Sequence, residues 1–189
     1  LSSKEMKILG ETIDDAVGEA FDKAAKILGL PYPGGPHIDR LSAKGDPTFM
    51  VFNESNLPDY NFSFSGMKTS FLYALQKEMK ANPSFINDHL NDICASYQAA
   101  LIKVLMKKVK AAQKSTGIKN VAIAGGVSAN SGLRAALMQW GEQSDISIYL
   151  PPFQYTTDNA AMIGIAGYYQ YLEGVNAPLS TSAQAKIKF

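Results

Sequence analysis

A glycine pair after an apolar stretch is the part of this sequence whose residue types are best suited to holding a ligand. Residues 121–124 are apolar, and Gly125, Gly126 and, four positions later, Asn130 follow them. Glycine lets the backbone approach a phosphate closely, and the N–H groups at a helix start attract anions. The Asn130 amide both donates and accepts hydrogen bonds, which suits a ribose hydroxyl or a base edge. The pattern is neither a Walker A loop nor a GxGxxG fingerprint. A plain strand–helix connection capped by Asn130 explains it equally well.

A carboxylate before another apolar helix is the second candidate. Asp158 is followed by an asparagine and then by apolar residues. It could ligate a metal ion, or simply face the positive end of its helix. Metal centres need several ligands, and the two histidines, His37 and His89, are far apart in the sequence. The residues alone therefore favour a role at the helix start.

Three further features have simple structural explanations beside their functional ones. Asp22 lies on the polar side of a predicted helix, as a solvated acid would, and Gly35 belongs to a glycine pair typical of turns. Cys94 falls on an inward helix face, which favours a core position over a nucleophile. Four lysines at helical spacing could contact RNA or form a solvated face: Lys103, Lys107, Lys110 and Lys114.

Composition sets wide limits on function. The chain has 189 residues, 46% hydrophobic and 19% charged, with a formal net charge of +1, so it is long enough for a proper core and has no global attraction to nucleic acid. A single cysteine excludes an internal disulfide and suits the cytoplasm. There is no apolar run of about 20 residues and no HExxH or GxSxG motif. The start at Leu1 resembles the middle of a longer protein.

The spacing of apolar residues predicts an α/β fold with a partly parallel sheet. The first helix is expected over 12–29, with Thr12 and Asp15 as a capping box and Ile13 buried. Further helices are predicted over 39–43, 67–80, 84–114, 130–143 and 158–173. Strands are predicted over 49–52, 61–65, 119–124 and 146–150.

Six segments together resemble one family, the universal tRNA threonylcarbamoyladenosine transferase subunit, earlier described as a glycoprotease or O-sialoglycoprotein endopeptidase. The segments span nearly the whole chain in the family's order, and their style is similar to the bacterial and organellar branch. They are GETIDDA (10–16), GEAFDK (18–23), YPGGP (32–36), FSFSGMKT (62–69), AGGVSAN (124–130) and TDNAAM (157–162).

The resemblance implies a fold and a division of the chain. The fold is the C-terminal lobe of an actin-like (ASKHA) ATPase, with a mixed sheet and flanking helices. Residues 1–157 would form this second lobe, the nucleotide-binding half. Residues 158–175 would form a helix that packs on an N-terminal lobe absent from this sequence, and 176–189 a loosely ordered tail.

The resemblance also implies a reaction and its site residues. The family transfers threonylcarbamoyl from threonylcarbamoyl-adenylate to the adenosine beside the tRNA anticodon. Asp158 matches its carboxylate ligand to one divalent metal, iron or zinc, whose HxxxH histidines lie outside this sequence. Many bacterial members have a cysteine where this chain has Thr156. The residues expected to bind the adenine nucleotide are Asp22, Gly35, Asp39, Gly125, Gly126 and Asn130.

Several expectations follow for the chain as a molecule. It is expected to be inactive alone, to function with tRNA and accessory subunits of the threonylcarbamoylation complex, and to have no membrane contact. The apolar final helix favours self-association. Three other functions remain open: a non-catalytic nucleotide-binding or assembly module, a sugar-kinase or chaperone-type ATPase lobe, and the metalloendopeptidase of the older label.

Overall fold

Seven α-helices and one two-stranded parallel sheet form the regular structure of the part of the chain that this computed structural model describes, residues 6–53 and 57–183. The α/β class predicted from the sequence is confirmed. The helices are α1 (Val17–Ile27), α2 (Gly34–Ser42), α3 (Ser65–Ala81), α4 (Phe85–Asp88), α5 (Leu90–Thr116), α6 (Ser131–Ser144) and α7 (Ala160–Leu172). The strands are β1 (Asn120–Ala122) and β2 (Ser147–Tyr149), and short 3-10 helices span Gly126–Ala129 and Phe153–Tyr155.

The larger hydrophobic core forms around Tyr97 on the inward face of α5. The Tyr97 ring is fully buried, 4.5 Å from the Phe71 ring, 5.6 Å from Phe52 and 6.5 Å from Phe21, measured between centroids. Its hydroxyl donates a hydrogen bond to the Ala20 carbonyl at 3.3 Å. Desolvation raises the pKa of Tyr97 above its usual value. The Tyr97 side chain therefore packs α1, α3 and the segment containing Phe52 against each other.

A second, smaller core joins α5 and α6 to the sheet. Helix α6 is the crossover between β1 and β2, which pair in parallel with Val121 opposite Ile148. Parallel strands need such a crossover, and its apolar face must then pack on the sheet. The buried residues of this core are Met106, Leu133, Leu137, Trp140 and Ile146.

The start of α1 differs from the prediction. The helix begins at Val17, and Thr12 instead forms an isolated parallel bridge with Phe62. The Thr12 hydroxyl donates to the Asp15 carbonyl at 2.7 Å, so these two residues form a turn before the helix. The predicted capping box is wrong, and Ile13, expected to be buried, is 64% exposed.

Two predicted strands are not strands. Residues 49–52 have no regular structure, and 61–65 contribute only the Phe62 bridge before α3 begins at Ser65. Helix side chains satisfy the backbone here: the Met50 N–H donates to Ser96 Oγ at 3.0 Å, and the Asn53 N–H to Ser70 Oγ at 3.1 Å. These two donors therefore need no strand partner. The mixed sheet is therefore not found in the described ranges.

Two other helix bounds are corrected. The helix predicted over 84–114 is divided at His89 into α4 and α5. Helix α2 begins at Gly34, well before the predicted position 39. A Cβ at Gly34 would lie 2.3 Å from the Ala25 Cβ, so glycine permits the close contact of α2 with α1.

The final helix lies on the surface along its whole length. Every residue of α7 is exposed, including Ile163 at 71% and Tyr171 at 69%. After Gly174, residues 175–183 form no helix or strand, and the rest of the predicted tail, 184–189, lies outside the described residues. No helix in the described ranges is long and apolar enough to cross a bilayer. The predicted packing of 158–175 on another lobe stays a prediction.

Asp14 connects the segment before α1 to the start of α3. Its Oδ1 accepts from the Phe64 N–H at 2.8 Å and the Ser65 N–H at 3.2 Å, while Oδ2 accepts from the hydroxyls of Ser63 and Ser65. Desolvation raises the pKa of Asp14, but these hydrogen bonds lower it by more, so it lies well below its usual range. A carboxylate distant in sequence thus caps α3.

We expect Asp14→Asn to lower the free energy of unfolding at neutral pH by about 1 kcal/mol, because an NH2 group replaces one of the two acceptor oxygens and the remaining hydrogen bonds lose their charged acceptor. Because the folded-state pKa is lowered, the wild-type advantage is complete above the unfolded pKa near 4 and declines as the pH falls below it. Urea denaturation at a series of pH values measures both effects. The control is Glu142→Gln, which removes the same charge from an exposed position in α6. Equal losses in the two variants would contradict the capping role.

Candidate functional site

A cavity of about 770 Å³ opens between α1, α2 and the start of α6. Its volume is within the range of about 300–1,000 Å³ typical of small-molecule sites. All the residues that the sequence predicted for nucleotide binding line it: Asp22, Gly35, Asp39, Gly125, Gly126 and Asn130. The structure thus brings together residues from three separate segments, and their roles in binding stay predictions.

Asp22 fixes the start of α2. Its Oδ1 accepts a hydrogen bond from the Gly34 N–H at 2.7 Å, one of the helix-start donors that have no partner within the helix. The Asp22 residue is half-buried, so it is not the freely solvated acid that its polar helix face suggested. One side chain therefore orients α2 and contributes to the cavity wall.

Asp39 joins α2 to α6. Its carboxylate accepts three hydrogen bonds from Ser131: from the N–H at 3.0 and 3.2 Å and from the hydroxyl at 2.7 Å. A carboxylate has about four lone-pair sites, so capacity for one further donor remains. A ribose hydroxyl is a donor of that kind.

Asn130 caps α6 and lines the cavity at once. Its Oδ1 accepts from the Leu133 N–H at 2.9 Å, and its Nδ2 donates to Gln98 Oε1 at 2.7 Å. Both side chains are buried, at 8% and 7% exposure. Sequence analysis missed Gln98, although a glutamine beside Tyr97 on the buried face of α5 was the available signal. The cap and ligand interpretations of Asn130 are compatible.

The glycine turn leaves open space beside the backbone. Gly125 has a φ of +84°, which few other residues adopt. At Gly126 a Cβ would meet nothing within 4 Å, so packing does not require glycine there. Gly126 is also one of the residues that line the cavity.

Asp158 lies outside the set of cavity-lining residues. The wall reaches Thr156 and Thr157, whereas Asp158 is exposed. No group of three His, Cys, Asp or Glu side chains among residues 6–53 and 57–183 could hold a metal ion. The described residues therefore do not fit a metal centre by themselves, and the ligand role of Asp158 stays a prediction.

Arg134 holds two loops of the cavity wall, and sequence analysis assigned it no role. Its Nη1 donates to the Ser128 carbonyl at 2.8 Å, and its Nη2 to the Pro151 carbonyl at 2.9 Å. The guanidinium lies 4.4 Å from the centre of the Phe153 ring. These contacts join α6 to the 3-10 helix that precedes it and to the segment after β2, which is too distant in sequence for a local pattern to reveal.

The remaining sequence candidates are Cys94 and the lysine face of α5. Cys94 is fully buried, and burial raises the pKa of its thiol to about 12, as expected of a core residue. The four lysines predicted to share a face of α5 are all exposed. The Lys110 ammonium lies 5.8 Å from the Trp140 ring centre, and both interpretations of the lysine face remain open.

Curated relatives of this chain and a matching family model carry the same enzyme name. A family model for TsaD, tRNA N6-adenosine threonylcarbamoyltransferase, matches residues 1–165. Curated relatives carrying that enzyme name are 56% identical in Christiangramia forsetii, over 98% of this chain and 54% of the relative, and 55% identical in Cytophaga hutchinsonii, over 97% and 54%. In Thermosipho africanus the identity is 45%, over 97% and 55%. The chain spans about half the length of the curated relatives it matches.

The chain also matches a solved structure. The activator of the 2-hydroxyisocaproyl-CoA dehydratase from Clostridium difficile with bound ADPNP gives a TM-score of 0.43 at 19% identity, over 86% of this chain and 52% of that one.

We expect Asn130→Ala to lower the free energy of unfolding by about 1–3 kcal/mol, because it removes a helix cap and leaves the buried Gln98 oxygen without its donor. Urea denaturation followed by the fluorescence of Trp140, in α6, measures the loss. The matched control is Asn159→Ala: Asn159 accepts from the Met162 N–H at 3.0 Å as the cap of α7, a helix that buries none of its residues. This control should leave the Trp140 transition unchanged, and an equal shift in both variants would contradict the assignment.

Proposed function

This chain belongs to the tRNA N6-adenosine threonylcarbamoyltransferase family, and on that premise we propose that it forms the adenylate-binding part of such an enzyme. The complete enzyme would transfer threonylcarbamoyl from threonylcarbamoyl-adenylate to the adenosine beside the tRNA anticodon. The observation that carries the proposal is the cavity itself. It has room for a mononucleotide, and its wall gathers the backbone and polar groups that a mononucleotide needs.

The cavity residues would hold the leaving group rather than attack the substrate. In the transfer, the adenosine amine forms a bond to the carbamoyl carbon, the bond from that carbon to the phosphate oxygen breaks, and adenosine monophosphate (AMP) leaves as the amine loses a proton. The backbone at Gly125 and Gly126 would lie beside the phosphate. The Asn130 amide and the Asp39 carboxylate would contact the sugar or base edge. Holding the reactants in place is a large part of such catalysis.

The proposal includes the position of this chain within a larger protein. We assign it to the C-terminal lobe of an actin-like fold, with the facing lobe, tRNA and accessory subunits completing the active unit. Asp158 would be one ligand of a divalent iron or zinc ion, which would polarise the substrate oxygens. The other ligands would come from outside the described residues, so no step above depends on the metal.

One observation favours a purely binding function as the second candidate. Asp22, Asp39 and Asn130 each accept hydrogen bonds within the protein. Groups engaged in this way are suited to positioning a nucleotide. A non-catalytic nucleotide-binding module would use the same cavity, and the two functions differ in whether the complete protein modifies tRNA.

We expect the chain to bind AMP, and Gly126→Ala to weaken that binding about tenfold. Gly126 lines the cavity, and the added methyl group would keep the phosphate from approaching the backbone closely, while it meets no other protein atom within 4 Å. Isothermal titration calorimetry measures the affinity, and urea denaturation should show unchanged stability. The matched control is Gly66→Ala in α3, where an added Cβ also meets nothing within 4 Å, outside the cavity lining. AMP binding that is absent, or equal in all three proteins, would contradict the proposal.

We also expect this chain alone, given tRNA and threonylcarbamoyl-adenylate, to form no modified adenosine. The reason is that it spans 54% of the length of its Christiangramia forsetii relative. Mass spectrometry of the digested tRNA measures the product, and that full-length relative is the positive control. Product formed by this chain alone would show that the described half is a sufficient catalyst.

A further inference from the structure

One aromatic ring in the cavity wall, Phe153, is exposed and is not buried in either hydrophobic core. Phe153 lines the cavity and is 65% exposed. The other aromatic lining residue, Phe21, is 3% exposed and belongs to the larger core. Phe153 is therefore the lining residue that can offer aromatic surface to a ligand.

Contacts on both the backbone and the ring of Phe153 restrict its position. It lies in a short 3-10 helix, and the Phe153 carbonyl accepts a hydrogen bond from the buried Thr156 hydroxyl at 2.8 Å. The Arg134 guanidinium lies 4.4 Å from the ring centre and is fixed by its two carbonyl acceptors. A planar guanidinium stacks favourably on an aromatic face. The arrangement presents a preoriented ring at the cavity.

We propose that Phe153 is the stacking surface for the purine ring of a mononucleotide in this cavity. The inference rests on the proposed function, that the cavity binds an adenylate, and adds the residue that recognises its base. The polar groups of the wall suit the sugar and phosphate, whereas a purine needs a flat apolar partner. Stacking of a base on an aromatic side chain contributes about 1–3 kcal/mol, a factor of about 5 to 150 in affinity.

The test compares AMP with ribose 5-phosphate, which lacks the base, by isothermal titration calorimetry on the whole chain. Phe153→Leu should weaken AMP binding about tenfold and leave ribose 5-phosphate binding unchanged. Phe153→Tyr keeps the ring and should retain the wild-type affinity for AMP. The matched control is Tyr155→Leu, which removes a neighbouring ring that is 47% exposed and outside the cavity lining. It should leave both affinities unchanged.

Nuclear magnetic resonance gives a direct reading of stacking. A ring stacked on adenine shifts the base H2 and H8 resonances of bound AMP upfield. The shift should be present with the wild-type chain and with Phe153→Tyr, and be lost with Phe153→Leu. A structural effect of the substitution alone would not separate the two ring-containing proteins from the leucine variant in this way.

The outcomes separate this inference from the function on which it rests. If Gly126→Ala weakens AMP binding and Phe153→Leu does not, the cavity binds the nucleotide and the stacking role is wrong. If the wild-type chain binds neither AMP nor ribose 5-phosphate, the proposed function fails and the inference with it. If Phe153→Leu weakens only the binding of a short adenine-containing oligoribonucleotide, the ring contacts RNA and the mononucleotide role is overturned.

Discussion

The first turn of α6 is the constraint on which the site depends. Three bonds from separate parts of the chain converge there: Asn130 caps the helix, Gln98 holds Asn130, and Asp39 accepts from Ser131. A helix start has unpaired N–H groups that must find acceptors, and here the acceptors are themselves cavity-lining or core residues. The same residues therefore accept hydrogen bonds from the N–H groups at the helix start and shape the cavity. A change at this turn is therefore expected to alter stability and the geometry of the cavity together.

Helix α5 connects that turn to the main core. Neighbouring residues on its buried face have different partners: Tyr97 packs among the rings of Phe71 and Phe52, and Gln98 reaches Asn130. The packing of Tyr97 sets the rotation of α5, and that rotation sets the position of the Gln98 amide. Because protein interiors are close-packed, the core transmits its geometry to the site with little tolerance. The link consists of packing contacts and does not require a conformational change.

Sequence patterns predicted the features that depend on interactions between neighbouring residues. They failed for features that depend on contacts between residues distant in sequence. The order β1, α6, β2 and the cap at Asn130 depend on residues a few positions apart, and both are present. Residues 49–52 have the composition of a strand, yet the Met50 N–H donates to Ser96 of α5, and the Asn53 N–H just after them donates to Ser70 of α3. Asp14 falls within the helix predicted over 12–29, but its carboxylate oxygens accept hydrogen bonds at the start of α3. The contacts of Gln98 and Arg134 are equally nonlocal, so no spacing rule finds them.

Two carboxylates in the wall of a cavity proposed for a phosphate raise an electrostatic question, which the helix starts answer. Asp22 accepts from the first residue of α2, and Asp39 from the first residue of α6. The positive end of each helix offsets the neighbouring charge, and Arg40 adds a cation to the same wall. The remaining acceptor capacity at Asp39 suits a hydroxyl donor and disfavours an anion. In the proposed binding mode the phosphate would therefore lie at the glycine turn and the sugar beside Asp39, which would leave the base to the part of the wall where Phe153 lies.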